Sequence, residues 1–523
     1  MKKPRFFLQC SGSTFWPQLC EDLQSSFELS FAVSDDRIAT GFAKNVRSEI
    51  LLANDLKFGL FNRELCVPIP PRVRTSPSFL RRQQEALYSF ERSAIGGSVS
   101  FPDRLQILSS LADFFWFYFK KYEPSFGLAT EAPHTFPTLI LHGVAEACEI
   151  PILHFQQNSI APTVRPVLGP NYERVRVNFS SLDESWRMRT LAPQKQFFAE
   201  FFENAVTDNF TELEVDWQKR EASTFSGPKS WWRRLYIPFA WLSDERVQQA
   251  SYCKRLSLSR ERMPTPTHRV AKSRGRSGLL LTSAKLALDQ ARTLRDTRKE
   301  LLHRSTSSLP DHFATMFLHF EPEKTSVPDG GVFGDQLAAA RSVADALADK
   351  MPLAICEHPS QNTLLLRGFR IRRARFYEEL AQIPNAFLVD PSVPRSELLA
   401  RTRLGVTLQG TVGLEMIARS IPVIALGHAW YSPVEGVFCF DDAWPLDSLV
   451  DRALRWQGGG QEAALDALWN TLVSDSIVCI LNPSFGALFP EVKTDCKSLR
   501  ALIVSLFGPK IPDPLASSTK PLS

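Results

Sequence analysis

Short apolar runs of strand length alternate with helical stretches in two blocks of this chain, and the alternation stops between them. In the first block Arg5–Cys10, Glu28–Val33, a run from Ile50 towards Gly59 and Ile152–Phe155 read as strands, while Leu105–Lys121 and Leu139–Ala147 carry helical periodicity. In the second, Thr315–His319, Leu353–Cys356, Ala386–Val389, Leu404–Leu408 and Pro422–Leu426 read as strands. Helices are expected between them over Phe333–Met351, Arg372–Gln382, Ser396–Arg401 and Gly413–Arg419. Strands separated by helices pair in parallel, because each helix carries the chain back across the sheet. Each block therefore predicts an α/β unit with helices on both faces of a parallel sheet.

At 523 residues the chain exceeds the size at which one hydrophobic core usually stops growing, which fits two domains and an insertion. The expected division is a first domain at 1–175, a helical, basic insertion or connector at 176–310, a second domain at 311–508, and a Pro-rich disordered tail at 509–523. Sixty-one Lys and Arg against 56 Asp and Glu leave a formal charge of +5, too slight an excess to call for a nucleic-acid partner. Nine cysteines without a Cys-x-x-Cys pair suggest neither a disulfide framework nor a zinc ribbon, and no metal is expected.

The apolar stretch after Lys2, Lys3 and Arg5 is only Phe6-Phe7-Leu8, too short for a signal-peptide core. The most apolar window, Phe114–Phe119, is bounded by Asp113 and Lys120-Lys121, well short of the roughly 20 residues of a membrane helix. A cytoplasmic location is expected, with peripheral membrane contact open through residues 231–276. There Trp231-Trp232-Arg233-Arg234 and the arginines from Arg255 to Arg276 would either meet a lipid surface or form a packed aromatic helix and a solvated basic face.

Chemistry-bearing residues collect where the expected strands end. Arg403–Gly427 runs from an apolar strand into Gln409-Gly410-Thr411-Val412-Gly413 and then into a helix containing Glu415. Glycines there let backbone approach a ligand, the first N–H groups of the helix suit a phosphate, and Glu415 could accept from sugar or ribose hydroxyls. The bland alternative is an ordinary strand-to-helix turn with Glu415 near the positive end of the helix dipole. Glu357-His358-Pro359 follows the strand ending at Cys356, and His319-Phe320-Glu321-Pro322-Glu323 follows the strand from Thr315. A histidine at either place could donate to phosphate or ribose, or could be a satisfied structural histidine. In the first block Glu131-Ala132-Pro133-His134 precedes a helix. The carboxylate and imidazole could act as base and orienting partner, or Glu131 could cap the helix while His134 packs. No Walker loop, Gly-x-Ser-x-Gly elbow or kinase signature is present.

Taken in order, Leu318-His319-Phe320-Glu321-Pro322-Glu323, Glu357-His358-Pro359, Phe376-Tyr377, Pro384-Asn385, Gly410-Thr411-Val412-Gly413-Leu414-Glu415, Pro422-Val423-Ile424 and Gly427 resemble the bacterial capsule polysaccharide biosynthesis family, which includes Kdo transferases. The resemblance covers about 315–432 and is weaker around 131–155. It implies a GT-B-like fold, with two Rossmann-like domains facing a cleft. It further implies transfer from a nucleotide-sugar donor, CMP-linked donors included, to a glycan or glycolipid acceptor. The nucleotide-sugar is then a substrate and no separate cofactor is expected. Carried over by position, His358 and Glu415 contact the donor, with His319, Glu323, Glu357, Gly410, Thr411 and Gly413 around it. Glu131, with His134, is the candidate acid or base. Similar sequences often carry Lys before Glu-His-Pro, whereas this chain has Cys356. An epimerase or hydrolase acting on a nucleotide-sugar, or a non-catalytic assembly factor binding glycan or lipid, are the competing expectations.

Overall fold

The computed structural model describes residues 3–175 except 13–14, 43–48, 58–60, 91–100, 159–161 and 172, parts of 192–204, and residues 288–508 except 290, 364–367, 442–444, 459 and 482–491. The aromatic and basic segment 231–276, most of the expected insertion and the tail 509–523 lie outside the described residues.

Two sheets organise the chain. The first comprises β1 (Arg5–Cys10), β2 (Glu28–Ser34), β3 (Glu49–Leu52), β4 (Phe126–Ala129), β5 (Ile152–Gln157), β6 (Thr163–Leu168), β7 (Glu173–Arg174) and, from the far end of the chain, β15 (Ile477–Val478). Its order is β15-β6-β5-β4-β1-β2-β3, with β7 on β6. Strands β1 to β5 pair in parallel, whereas β6 pairs antiparallel with β5, β7 and β15. The second sheet comprises β8 (Ser305–Thr306), β9 (Phe313–Phe317), β10 (Leu353–Cys356), β11 (Ala386–Val389), β12 (Thr402–Thr407), β13 (Val423–Ala425) and β14 (Val437–Cys439). It runs β14-β13-β12-β9-β10-β11-β8, parallel throughout.

The central strands are buried on both faces, so they read as continuous apolar runs rather than alternating ones. Phe6, Phe7 and Leu8 of β1 are each essentially inaccessible, as are Ala314 and Met316 of β9. The apolar window at 114–119 belongs to the helix Phe101–Tyr122, which buries Leu108, Leu111, Phe115 and Phe119 in the core shared with the helix Phe136–Ala147. No helix among the described residues is long and apolar enough to cross a membrane. In the second unit the helix expected from Phe333 begins at Gln336, because the Asp335 carboxylate accepts from the N–H groups of Leu337 and Ala338 and fixes the start. The run expected from Ile50 to Gly59 is the strand β3 followed by a short helix, Ala53–Lys57.

The expected boundaries at 311 and 508 do not hold. The second unit begins earlier: a helix over 291–304 places Leu301 in the core beneath β9 and β10, and β8 pairs with β11. The end of the chain crosses back, since β15 pairs with β6 and the helix Cys496–Phe507 lies on the first sheet. Its Leu499, Leu502 and Ile503 form one apolar stripe that joins Phe6, Leu8, Trp16 and Leu19, and Phe507 stacks on Phe126 at 4.2 Å. Burying each of those aliphatic side chains is worth about 1.5–3 kcal/mol.

In the first sheet, and among β9 to β14 of the second, the strand order reverses once. Strands β1, β2 and β3 step outward on one side while β4 and β5 step outward on the other, so the reversal lies between β1 and β4. In the second sheet it lies between β9 and β12. Loops beyond the carboxyl ends of the strands diverge at such a seam and leave a crevice, the usual ligand site of an open α/β sheet.

Candidate functional site

The second crevice is built from the loops after β9 and β12. The Gln409 backbone N–H donates to His319 Nε2 at 3.3 Å, which places the proton of the neutral imidazole on Nδ1. The His319 backbone is itself clamped, its N–H donating to Gln336 Oε1 at 2.6 Å and its carbonyl accepting from Gln336 Nε2 at 3.2 Å. Burial, then the neighbouring His358 and Arg372, hold the His319 imidazole down to about 3, so it is neutral in ordinary buffers. Gly410 permits this closeness, because a Cβ there would sit 3.1 Å from Thr407 Oγ1 and 3.2 Å from His319 Nε2. A Cβ on Gly413 would lie 2.2 Å from the Tyr431 hydroxyl, which donates to the Gly410 carbonyl at 2.6 Å. Packing around the loop therefore demands glycine at 413 and leaves little room for a side chain at 410.

Arg372 ties this loop to the next two. It is fully buried, with Nε 3.0 Å from Glu321 Oε2, Nη1 on Glu357 Oε1 and Nη2 on the His319 carbonyl, and Phe376 lies beneath the guanidinium at 5.1 Å. Glu357 also accepts from Tyr377 Oη at 2.6 Å and from the His358 N–H at 2.6 Å. Burial raises the Glu357 carboxyl despite Arg372. Its oxygens face inward, so Glu357 shapes the loop that presents His358. His358 Nδ1 accepts the Ser360 N–H at 3.1 Å, leaving the proton of the neutral ring on Nε2. Burial, with Arg372 and Arg395, lowers His358 to about 4, so this donor is neutral.

The loop 409–413 is more economical than its glycines suggest. The Gly413 N–H bonds the Gly410 carbonyl at 3.0 Å, and the N–H groups of Leu414 and Glu415 bond the Thr411 carbonyl. Among the described residues, the backbone N–H groups of Thr411 and Val412 have no hydrogen-bond acceptor. Glu415 is buried and ion-paired with Arg395. Glu323 is half-buried and accepts from Thr325 Oγ1 at 3.0 Å.

The first crevice lies between the loops after β1 and β4, where the Ser11 N–H donates to Thr130 Oγ1 at 3.1 Å. Glu131 does not cap the helix that follows. Thr135 and Thr138 do, the Thr135 N–H reaching Thr138 Oγ1 at 3.2 Å. Instead Glu131 Oε2 accepts from Lys324 Nζ of the second unit at 3.0 Å, while Oε1 lies 3.6 Å from His134 Nδ1. Burial would raise the Glu131 carboxyl, yet the Lys324 ammonium and His134 bring it down to about 2. The two crevices thus face one another, joined by an ion pair that includes the expected catalytic carboxylate. Beside them Gln156 Nε2 donates to the His428 carbonyl at 2.6 Å, and Gln156, Arg165, His428, Ser432 and Phe440 line an open interunit cavity of about 100 Å³.

Sequence reasoning missed Lys324, Arg372, Arg395 and Tyr431. Lys324 directly follows the His319–Glu323 motif and Arg395 stands just beyond the end of β11, so the sheet-end argument applied to every strand would have reached both. Nothing in the sequence marks Arg372 as buried.

Several solved structures are similar over most of the chain. A UDP-GlcNAc 2-epimerase from Methanocaldococcus jannaschii has 11% identity, covering 88% of this chain and 97% of that one at a TM-score of 0.24. A glycosyltransferase from Rickettsia africae has 8% identity, covering 94% and 98% at 0.22. At these TM-scores the likeness carries no argument about this chain. No curated protein matches the chain significantly. The two largely parallel sheets with their helices are of the α/β class expected from the sequence. A capsule polysaccharide biosynthesis family model matches residues 242–438, and over that span, which holds every candidate residue from His319 to Glu415, the chain is similar to the family its motifs resemble.

Proposed function

We propose that this protein is a glycosyltransferase of surface polysaccharide or glycolipid assembly, transferring a sugar from a nucleotide-activated donor. The observation that carries this reading is the pairing of two switch-point crevices, one presenting neutral hydrogen-bond donors and the other a carboxylate–imidazole pair, bridged by Lys324 and Glu131. The second crevice takes the donor: His358 Nε2–H and the N–H groups of Thr411 and Val412 meet phosphate or ribose oxygens, while His319, Glu357, Gly410 and Gly413 hold that surface in shape. Glu323 and Glu415 act through Lys324 and Arg395. The first crevice takes the acceptor. Glu131, held ionised, orients His134, and His134 takes the proton as the acceptor oxygen bonds to the anomeric carbon and the donor's carbon–oxygen bond to phosphate breaks. A carboxyl brought to about 2 is too weak a base for that step itself, which assigns the proton to His134. The acceptor is a glycan or glycolipid, and membrane contact through 231–276 is part of the same proposal.

Thermal unfolding of the full chain with CMP, UDP and GDP tests the donor site. A bound nucleotide at a hundred times its Kd adds about 2.7 kcal/mol, a readily measured rise in Tm. His358→Ala should abolish most of that rise. His134→Ala should keep it while eliminating transfer. No rise with any of the three at millimolar concentration overturns the reading.

A further inference from the structure

One loop at the carboxyl end of the second sheet enters the binding scheme above only through the arginine at its end. It follows β11, spans residues 390–394, and ends at Arg395, the first residue of the helix Arg395–Arg401. The Arg395 side chain is 43% exposed, yet it is not an ordinary surface arginine. Its guanidinium lies over the Phe317 ring at 5.7 Å, at the end of β9, and pairs with Glu415, whose side chain is only 7% exposed. It therefore spans from the seam strand β9 to the helix Val412–Ala418 that follows β12, beside the residues offered to the donor. Its charge is felt at Cys356 and at His358 on the loop after β10, where it opposes ionisation of the imidazole and favours that of the thiol. Burial nevertheless pushes the Cys356 thiol up to about 12, so position 356 is neutral.

We propose that Arg395 is the cation that meets the donor's phosphate, with Glu415 as the counter-ion that holds its guanidinium at the crevice. The inference rests on the nucleotide-sugar reading and adds to it where the negative charge of the donor is met. A phosphate leaving group gathers charge as the sugar departs, and neutral N–H groups alone match it less well than a charged donor. Arg372 cannot serve, being fully buried between Glu321 and Glu357, and the Lys324 ammonium is directed to Glu131 of the opposite crevice. Arginine suits the role because its planar fork can present one edge to a carboxylate and another to a phosphate. Glu415 explains why the side chain stays put: a nearly buried carboxylate is costly without a cation beside it. The neutral Cys356 leaves this charge to be supplied from the neighbouring loop.

Titration calorimetry on the full chain separates charge recognition from nucleoside recognition. CMP, UDP and GDP are measured beside cytidine, uridine and guanosine, using wild type, Arg395→Ala, Arg395→Lys, the double variant Arg395→Ala/Glu415→Gln, and Arg395→Ala/Cys356→Lys. Arg395→Ala is expected to lose about tenfold or more in affinity for the nucleotide that wild type binds, with nucleoside affinity unchanged. Arg395→Lys should lie between, and Cys356→Lys should restore part of the loss by returning a cation to the adjacent strand end. If Arg395→Ala alone fails to fold, the double variant, which carries no orphaned carboxylate, makes the same comparison. Unchanged nucleotide affinity, or an equal loss for nucleotide and nucleoside, overturns the assignment of Arg395 alone. Absence of nucleotide binding by wild type overturns the donor-site reading and this inference with it.

Discussion

Each unit buries an arginine between carboxylates, and the two arginines serve different ends. In the first unit Arg82, on the helix Pro77–Ser89, reaches Glu146 on the helix Phe136–Ala147, with Nη2 to Oε1 at 2.7 Å and Nε to the same oxygen at 3.0 Å, and Glu85 on its own helix at 2.8 Å. It fastens helix to helix. In the second unit Arg372 fastens loop to loop at the sheet end, joining Glu321 after β9 to Glu357 after β10 and to the His319 carbonyl. The first crevice is held differently, by the Ser11–Thr130 bond, by His142 Nε2 and Gln9 Oε1 at 2.8 Å, and by the ion pair to the other unit. A buried charge cluster gives little net stability over apolar packing but fixes geometry. Its placement therefore marks where geometry must be fixed: the scaffold in one unit, the ligand-facing loops in the other.

Removing the two arginines should give the largest effects and the sharpest contrast. Arg82→Ala and Arg372→Ala each leave two carboxylates without their buried partner, a loss of about 3–5 kcal/mol in urea unfolding. Below their unfolding transitions the two variants should part company. Arg372→Ala should lose the nucleotide-induced rise in Tm, since the loops carrying His319 and His358 are no longer joined, whereas Arg82→Ala should keep it. Equal loss in both variants would erase the distinction drawn between the two nodes.

A smaller contrast comes from one glycine in each unit. A Cβ on Gly127 of β4 would lie 2.3 Å from Phe7 Cζ, and one on Gly413 would lie 2.2 Å from Tyr431 Oη. Gly127→Ala and Gly413→Ala should each cost about 1–3 kcal/mol through overpacking. Gly413→Ala should also displace the Tyr431 hydroxyl from the Gly410 carbonyl and weaken nucleotide binding, measured by calorimetry. Gly127→Ala should leave that affinity intact, and a matching loss there would mean that general loosening, not the loop, sets it.

The strands were the most legible part of the fold. Arg5–Cys10, Leu353–Cys356 and Ala386–Val389 are read to the residue, because a strand buried on both faces is an unbroken apolar run. The return of β15 and of the helix Cys496–Phe507 to the first sheet was not legible. The Leu499, Leu502 and Ile503 stripe announces a buried helix face but carries no address, and only three-dimensional proximity assigns it to Phe6 and Trp16 rather than to the nearer second sheet. At the site, sheet-end position pointed to His319, His358 and Gly410 and to their shared neighbourhood. What it could not show is which way a carboxylate faces. Glu357 and Glu415 look like ligand-facing acids in the sequence, yet one is bound by Arg372, Tyr377 and a backbone N–H and the other by Arg395. Inward and outward orientation depends on partners tens of residues away, which a motif does not contain.

The smallest effect should come from the link between the units, and pH makes it separable from the rest. The Glu131 carboxyl is held at about 2 against about 4.3 for an unfolded glutamate, so its contribution is complete above the unfolded value and is lost as pH falls from there towards 2. Lys324→Met removes the ammonium, and the pair is partly buried, so the loss at pH 7 should be on the order of 1 kcal/mol. Without Lys324 the carboxyl moves back towards its ordinary range, which shrinks the difference between wild type and variant as the medium is acidified. Burial also lowers His142, His319 and His358, which destabilise the fold equally in both proteins as pH falls below about 6.5, whereas His154, lowered by burial and also by the Lys324 charge, weighs more on wild type. The difference between wild type and Lys324→Met in urea unfolding should therefore narrow steadily as pH falls from 7 towards 3. A gap that stays constant to pH 3 would show that Lys324 stabilises the protein by packing rather than by holding the carboxylate of the opposite crevice.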